Sequence, residues 1–260
     1  MTGRRVREHV LRESRRANVG HIGSALSVAD ILAALYGGIL RIPAPDDPER
    51  DRFVLSKGHA ALALYAALAL RGWLPKEQLA TYCGDDSLLG VHPESDLPGV
   101  DFSSGSLGHG LAIGAGSALA ARKRGSERRV FVLISDAELN EGSTWEAVMF
   151  AAQHRLANLY VVVDSNGQQA LGYTRDVMAI ENAADRFAAF GWDAREIDGH
   201  DVPALAAAVD AAANDPRPHV LVAKTVFGRG VSFMERRIKW HYMPMSADEF
   251  EQAMGEVAAT

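Results

Sequence analysis

Two polar residues thirty positions apart, each at the end of an apolar run, are the part of this sequence best suited to chemistry. Asp136 lies in SDAELNEG (135–142) after the run VFVLI, and Asn166 lies in DSNG (164–167) after the run LYVVV. A hard cation such as Mg²⁺ takes oxygen ligands in near-octahedral array at about 2.0 to 2.1 Å and completes its shell with phosphate and water. One carboxylate, one amide oxygen and one backbone carbonyl just beyond Asn166 would suit such a cation holding a diphosphate. Each residue alone also has an ordinary loop role, Asp136 as the cap of a following helix and Asn166 in a turn with Gly167. The spacing and the strand context favour the shared site.

Elements that could bring the two together are legible around them. β-Branched apolar runs recur at 130–134, 159–163 and 219–223, separated by helical segments such as STWEAVMFAAQHRL and VPALAAAVDAAAND. Upstream, Ser27 with Asp30 is expected to cap SVADILAALYGGIL, Pro75 to open PKEQLATYC, and HGLAIGAGSALAARKRG to form a helix ending at Gly125. Uninterrupted apolar strands between helices predict an α/β fold, a doubly wound and mostly parallel sheet with helices on both faces. In such sheets ligands bind beyond the carboxyl ends of the strands, where both Asp136 and Asn166 fall. The thirty residues between them make one βαβ crossover.

Composition narrows the function classes. With 260 residues and 48% hydrophobic content the chain can bury a full core, and with no linker in view a single domain over 1–260 is expected. The net charge of -6 gives no footprint for nucleic acid. The early arginines Arg4, Arg5, Arg7, Arg12, Arg15 and Arg16 interleave with Val6, Val10 and Leu11 at helical spacing, as on a solvated helix face. Cys83 is the only cysteine, so neither a disulfide framework nor a thiolate metal site is expected. No apolar stretch is suited to spanning a bilayer and no signal-peptide core opens the chain, so a cytoplasmic location without membrane contact is expected.

The stretch from SDAELNEG to DSN resembles the metal fingerprint of thiamine diphosphate enzymes, which begins Gly-Asp-Gly and ends about thirty residues later in Asn. Five further segments, GHIGSALS, SKGHAALALY, GVHPE, SGSLGHGL and KTVFGRGVSFMERRIKWH, resemble transketolase segments in the transketolase order. The resemblance covers almost all of the chain but only the first, diphosphate-binding domain of that enzyme, as in the N-terminal subunit of a split transketolase. It implies transfer of a two-carbon ketol unit from a ketose to an aldose through thiamine diphosphate with Mg²⁺, or Ca²⁺ or Mn²⁺ in its place. The implied metal ligands are the side chains of Asp136 and Asn166 and the carbonyl of Gln168. His21, His59, His92 and His241 match histidines of the cofactor and substrate channel. His59, Ser106, Leu107, Gly108, Ala137, Glu141 and His241 match positions near the cofactor. Glu141 matches an acid placed between paired active sites in related enzymes, and would otherwise favour the first turn of the helix starting near Ser143. His9, His154, His200 and His219 match nothing.

The sequence departs from the pattern at Ser135 and Ala137, which replace the two glycines of the fingerprint, and at His109, where many full-length transketolases have Gln. Alanine keeps the backbone donor of the second glycine unless the position needs a positive φ. No segment resembles the second domain, which carries the family's glutamate for the aminopyrimidine ring. The implied partner is therefore a C-terminal, pyrimidine-binding subunit, in a heterotetramer of two of each. The alternatives are another thiamine diphosphate enzyme subunit, of the 2-oxoacid dehydrogenase α type or from a specialised sugar pathway, and a non-catalytic pseudosubunit. Ser246 and Glu249 have capping-box spacing, and a last helix is expected there.

Overall fold

A computed structural model describes residues 1–259. The chain runs α1 (Gly3–Ala17), α2 (Ile22–Ser27), α3 (Ala29–Ala34), β1 (Arg52–Leu55), α4 (Ala61–Arg71), α5 (Lys76–Leu79) and α6 (Gly110–Lys123) into β2 (Val130–Ser135). It continues through α7 (Gly142–Gln153), β3 (Leu159–Ser165), the short pair β4 (Gln168–Gln169) and β5 (Gly172–Tyr173), α8 (Thr174–Val177), α9 (Ala183–Ala189) and β6 (Asp193–Asp198). The last elements are α10 (Val202–Ala212), β7 (His219–Lys224), α11 (Lys239–Tyr242) and α12 (Ala247–Ala258).

Five strands form one parallel sheet in the order β1-β2-β3-β7-β6. The apolar runs of β2, β3 and β7 are continuous because helices cover both faces. Phe131, Leu133, Tyr160, Val162 and Leu221 join one core, with side chains from α1, α3, α4 and α10. Their alternating neighbours Val130, Val132, Ile134, Val161, Val163, Val220 and Val222 join the other, with α6, α7 and α9. α6 approaches β2 closely, and a Cβ on Gly114 would lie 2.3 Å from a methyl of Val132.

The predicted strands and the helices after them are present, with α6 ending before Gly125 at φ +68° and α12 carrying the Ser246–Glu249 capping box. Pro75 precedes a helix of one turn, shorter than expected. β1 has only four residues, and β6, at the edge of the sheet, reads DAREID with charges at Asp193, Arg195, Glu196 and Asp198, so neither offers an apolar run to read.

Two expectations fail. Ser27 caps nothing: it is the last residue of α2, fully buried, and its hydroxyl donates to Ser24 O and to Asp164 Oδ2. Arg7 leaves the solvated face of α1 and pairs in the interior with Asp30, which also takes a hydrogen bond from His200 Nδ1. Among the described residues no helix is long and apolar enough to cross a membrane.

Candidate active site

β2 and β3 are neighbours, and their register sets Ser135 opposite Asp164, so the loops that follow start side by side. The Gly167 N–H donates to Asp136 Oδ2 at 2.8 Å and the Ala137 N–H to Oδ1 at 2.9 Å. The Gln168 N–H donates to Asn166 Oδ1 at 2.9 Å. The crossover thus brings Asp136 against the Asn166–Gln168 turn. Ala137 is outside the left-handed region, so alanine costs no backbone strain there, though its N–H is taken by Asp136. Asp136 also caps the short turn 137–140, so its ordinary loop role coexists with the meeting.

Asp136 is only 1% exposed. Burial, and then the charge of Asp164, pushes its carboxyl up to about 7. The neighbouring cation, Lys57 Nζ, is bonded instead to Asp164 Oδ2. A carboxylate desolvated beside another and lacking its own counter-ion is where a divalent ion would relieve the charge. Among the described residues no three His, Cys, Asp or Glu side chains converge as a metal set. The expected ligand set draws only Asp136 from those types, the others being an amide and a backbone carbonyl.

Above this floor is a cavity of about 420 Å³ lined by His21, Lys57, His59, His92, Leu107, Ala137, Glu141, Asn166, Gln168 and His241, with Ser24, Asn140 and Phe227 among others. The rings of His21, His59 and His241 lie with centroids 5.3 to 5.6 Å apart, and Phe227 stacks on His241 at 6.0 Å. Burial, followed by the field of His21 and Lys57, lowers His241 to about 4. Burial, with Lys57 next, holds His59 well below the usual imidazole range, and burial with His92 lowers His21. These three rings are neutral near pH 7, able to accept or return a hydroxyl proton. His21 Nδ1, His241 Nδ1, Ser24 Oγ, Asn140 Oδ1 and Gln168 Oε1 are buried without a partner, so the walls hold unused donors and acceptors for a polar group.

The structure gathers most of the expected residues but not all onto this wall. Gly108 is buried behind it, where its N–H donates to Glu138 Oε1 at 3.0 Å, and Asp136 lies beneath it. Ser106 is exposed on an adjoining groove with His109, away from the cavity. Glu141 starts α7 without capping it through its side chain. Sequence reasoning misses Lys57, Asp164, Glu138 and Phe227. All four lie inside recognised motifs, SKGHA, DSNG, SDAELNEG and KTVFGRG, but nothing in the local spacing gives them a role. A larger open groove of about 520 Å³ at the opposite ends of the strands, lined by Met149, Arg155, Phe190 and Arg217 among others, offers no acid or imidazole.

The family model for the transketolase, thiamine diphosphate binding domain matches residues 4–258. The chain belongs to the transketolase family. It is 40% identical over 241 residues to one subunit of the apulose-4-phosphate transketolase of Actinobacillus succinogenes, spanning 92% of this chain and 87% of the relative. It is 38% identical over 256 residues to the 6-deoxy-6-sulfo-D-fructose transketolase subunit SqwG of a Clostridium species, spanning 97% and 93%. The crystal structure of transketolase from Campylobacter jejuni superposes with a TM-score of 0.91 at 29% identity, covering 98% of this chain and 42% of that one. The chain thus spans about two fifths of the solved transketolase and nearly the whole of two transketolase subunits.

Proposed function

We propose that this chain is the diphosphate-binding subunit of a split transketolase, moving a two-carbon ketol unit from a ketose to an aldose. The observation that carries the reading is the meeting of Asp136 with the Asn166–Gln168 turn beneath a cavity walled by neutral histidines. The apulose-4-phosphate and sulfofructose relatives, both named as subunits, support the split arrangement. Residues 1–260 act as one binding domain, in the cytoplasm, and the donor and acceptor are small sugars.

Asp136, the side-chain oxygen of Asn166 and the carbonyl of Gln168 would hold Mg²⁺, or Ca²⁺ or Mn²⁺, and through it the diphosphate. Leu107 would line the wall on the aminopyrimidine side, with Gly108 packed behind it beside Glu141. When bound, thiamine diphosphate would supply a nucleophilic carbon to carry the two-carbon unit and a cationic ring to take up the electrons of the broken bond. His21, His59 and His241 receive and return sugar hydroxyl protons, Nδ1 of His21 and of His241 being unpaired, and His92 orients the substrate from the cavity lining. Phe227 keeps water from the inner side of His241. The partner is a C-terminal, pyrimidine-binding transketolase subunit, in a heterotetramer of two of each.

Calorimetry tests the reading directly. The chain with its partner should bind thiamine diphosphate with Mg²⁺, lose that binding in EDTA, and lose it in Asp136→Ala. Unchanged affinity in the variant would sink the assignment.

A further inference from the structure

Directly under Asn166 lies a carboxylate that no ligand could touch. Asp164 is fully enclosed at the end of β3. Its Oδ2 accepts from Asn166 Nδ2 at 2.9 Å, from Ser27 Oγ at 2.8 Å and from Lys57 Nζ, and its Oδ1 accepts from Thr225 Oγ1. The donors arrive from α2, from the loop after β1, from the loop after β7 and from its own loop. Both members of the Lys57–Asp164 pair are buried, so neither charge is relieved by water.

These bonds choose between the two ways an asparagine amide can be set. Asp164 accepts from the NH₂ group, while the Gln168 N–H donates to the oxygen at 2.9 Å. Turning the amide over would set donor against donor at Gln168 and oxygen against carboxylate at Asp164. With the amide as it stands, one lone pair of Oδ1 serves Gln168 and the second is free for a cation.

We propose that Asp164 is a positioning residue of the metal site: it fixes Asn166 with its oxygen toward the cation, and Lys57 balances the charge that this requires. The inference rests on the reading of Asn166 as a ligand. Asp164 itself never reaches the ion.

The test uses the full chain with its partner subunit, thiamine diphosphate and Mn²⁺ as the probe, with free Mn²⁺ followed by electron paramagnetic resonance. Removing Asp164 alone would strand a buried lysine, so the changes are made with Lys57→Met. Asp164→Leu in that pairing should weaken Mn²⁺ binding about 10- to 100-fold, the usual cost of losing a residue that orients a ligand. Asp164→Asn should recover at least about tenfold of it, because its oxygen can face Asn166 while the Thr225 hydroxyl turns to accept from its amide. In an Asn166→Ala background the leucine change should cost no more than about twofold further, as expected when one residue acts through the other. Should the leucine pair not fold, Asp164→Ser, too short to reach Asn166, takes its place. Equal losses in the leucine and asparagine pairs, or a full additional loss without Asn166, would overturn the proposal and leave Asp164 a packing and charge residue. If Asn166→Ala alone leaves Mn²⁺ affinity unchanged, the ligand reading fails, and this inference with it.

Discussion

His21 is held at φ +59°, a left-handed conformation that non-glycine residues seldom adopt, at the start of α2. Its position over the cavity is worth that strain only if the ring has work to do. Asparagine tolerates the same backbone, so His21→Asn should leave the melting temperature near that of the unchanged protein. In the assembled enzyme it should lower kcat/KM at least about tenfold, since acid–base groups usually contribute 10² to 10⁴. Normal turnover, or loss of folding, would mark the ring as idle or structural. His241 gives a separate test through pH. Its folded value of about 4 lies below the ordinary imidazole value, so the unfolded chain binds the proton more readily between the two. The stability linked to this ring is full above about pH 6.5 and is lost as pH falls toward 4. In the cofactor-free chain, urea midpoints at pH 7.5 and 5 should therefore differ less in His241→Phe than in the unchanged protein. An identical pH dependence in both would contradict the lowered value.

At the scale of elements, α6 comes close against β2 at Gly114. A methyl there meets the stiff side chain of Val132 inside a filled core, and overpacking of this kind costs about 1 to 3 kcal/mol. Replacing glycine within a helix returns at most about 1 kcal/mol of propensity. Gly114→Ala should thus lower the denaturation midpoint, with a net loss of about 1 kcal/mol, and a stabilised variant would show that α6 can shift outward freely. The elements most legible in the sequence are those whose own pattern decides them. β2, β3 and β7 announce themselves because burial on both faces demands unbroken apolar runs, and that alone predicts where Asp136 and Asn166 meet. β1 and β6 stay hidden because a four-residue strand and a charged edge strand carry no such run. The same limit applies to the candidate site. Its floor lies within one crossover, whereas the Lys57–Asp164 pair and the stacking of Phe227 on His241 join residues that no local spacing relates. Ser27 misleads for a related reason, since its hydroxyl is claimed by Asp164 rather than by the helix that follows it.

For the molecule as a whole, the cavity is edged by apolar side chains turned to water, with Leu171 83% exposed and Tyr242, bonded to the neighbouring Ala170, also uncovered. Tyr242 ties this rim together by donating its hydroxyl to Ala170 O at 2.5 Å. A partner subunit closing over the cofactor would rest here. Leu171→Asp should leave the melting temperature of the isolated chain unchanged and weaken association with the partner at least about tenfold, measured by analytical ultracentrifugation. Association unaffected by the change would move the interface elsewhere. The bond from the His21 N–H to His241 O, at 3.3 Å, has a consequence for how the protein folds. The unit β2–α7–β3 is contiguous, so its pairing forms at low entropic cost and can carry Asp136 and Asn166 into place early. His21 and His241 must find each other across most of the sequence, a closure that comes late and can reopen without unfolding the sheet. The His21 amide should exchange its hydrogen faster than the amides of β2 and β3, and slow when cofactor and sugar bind, so that this single proton reports whether the histidine wall is shut.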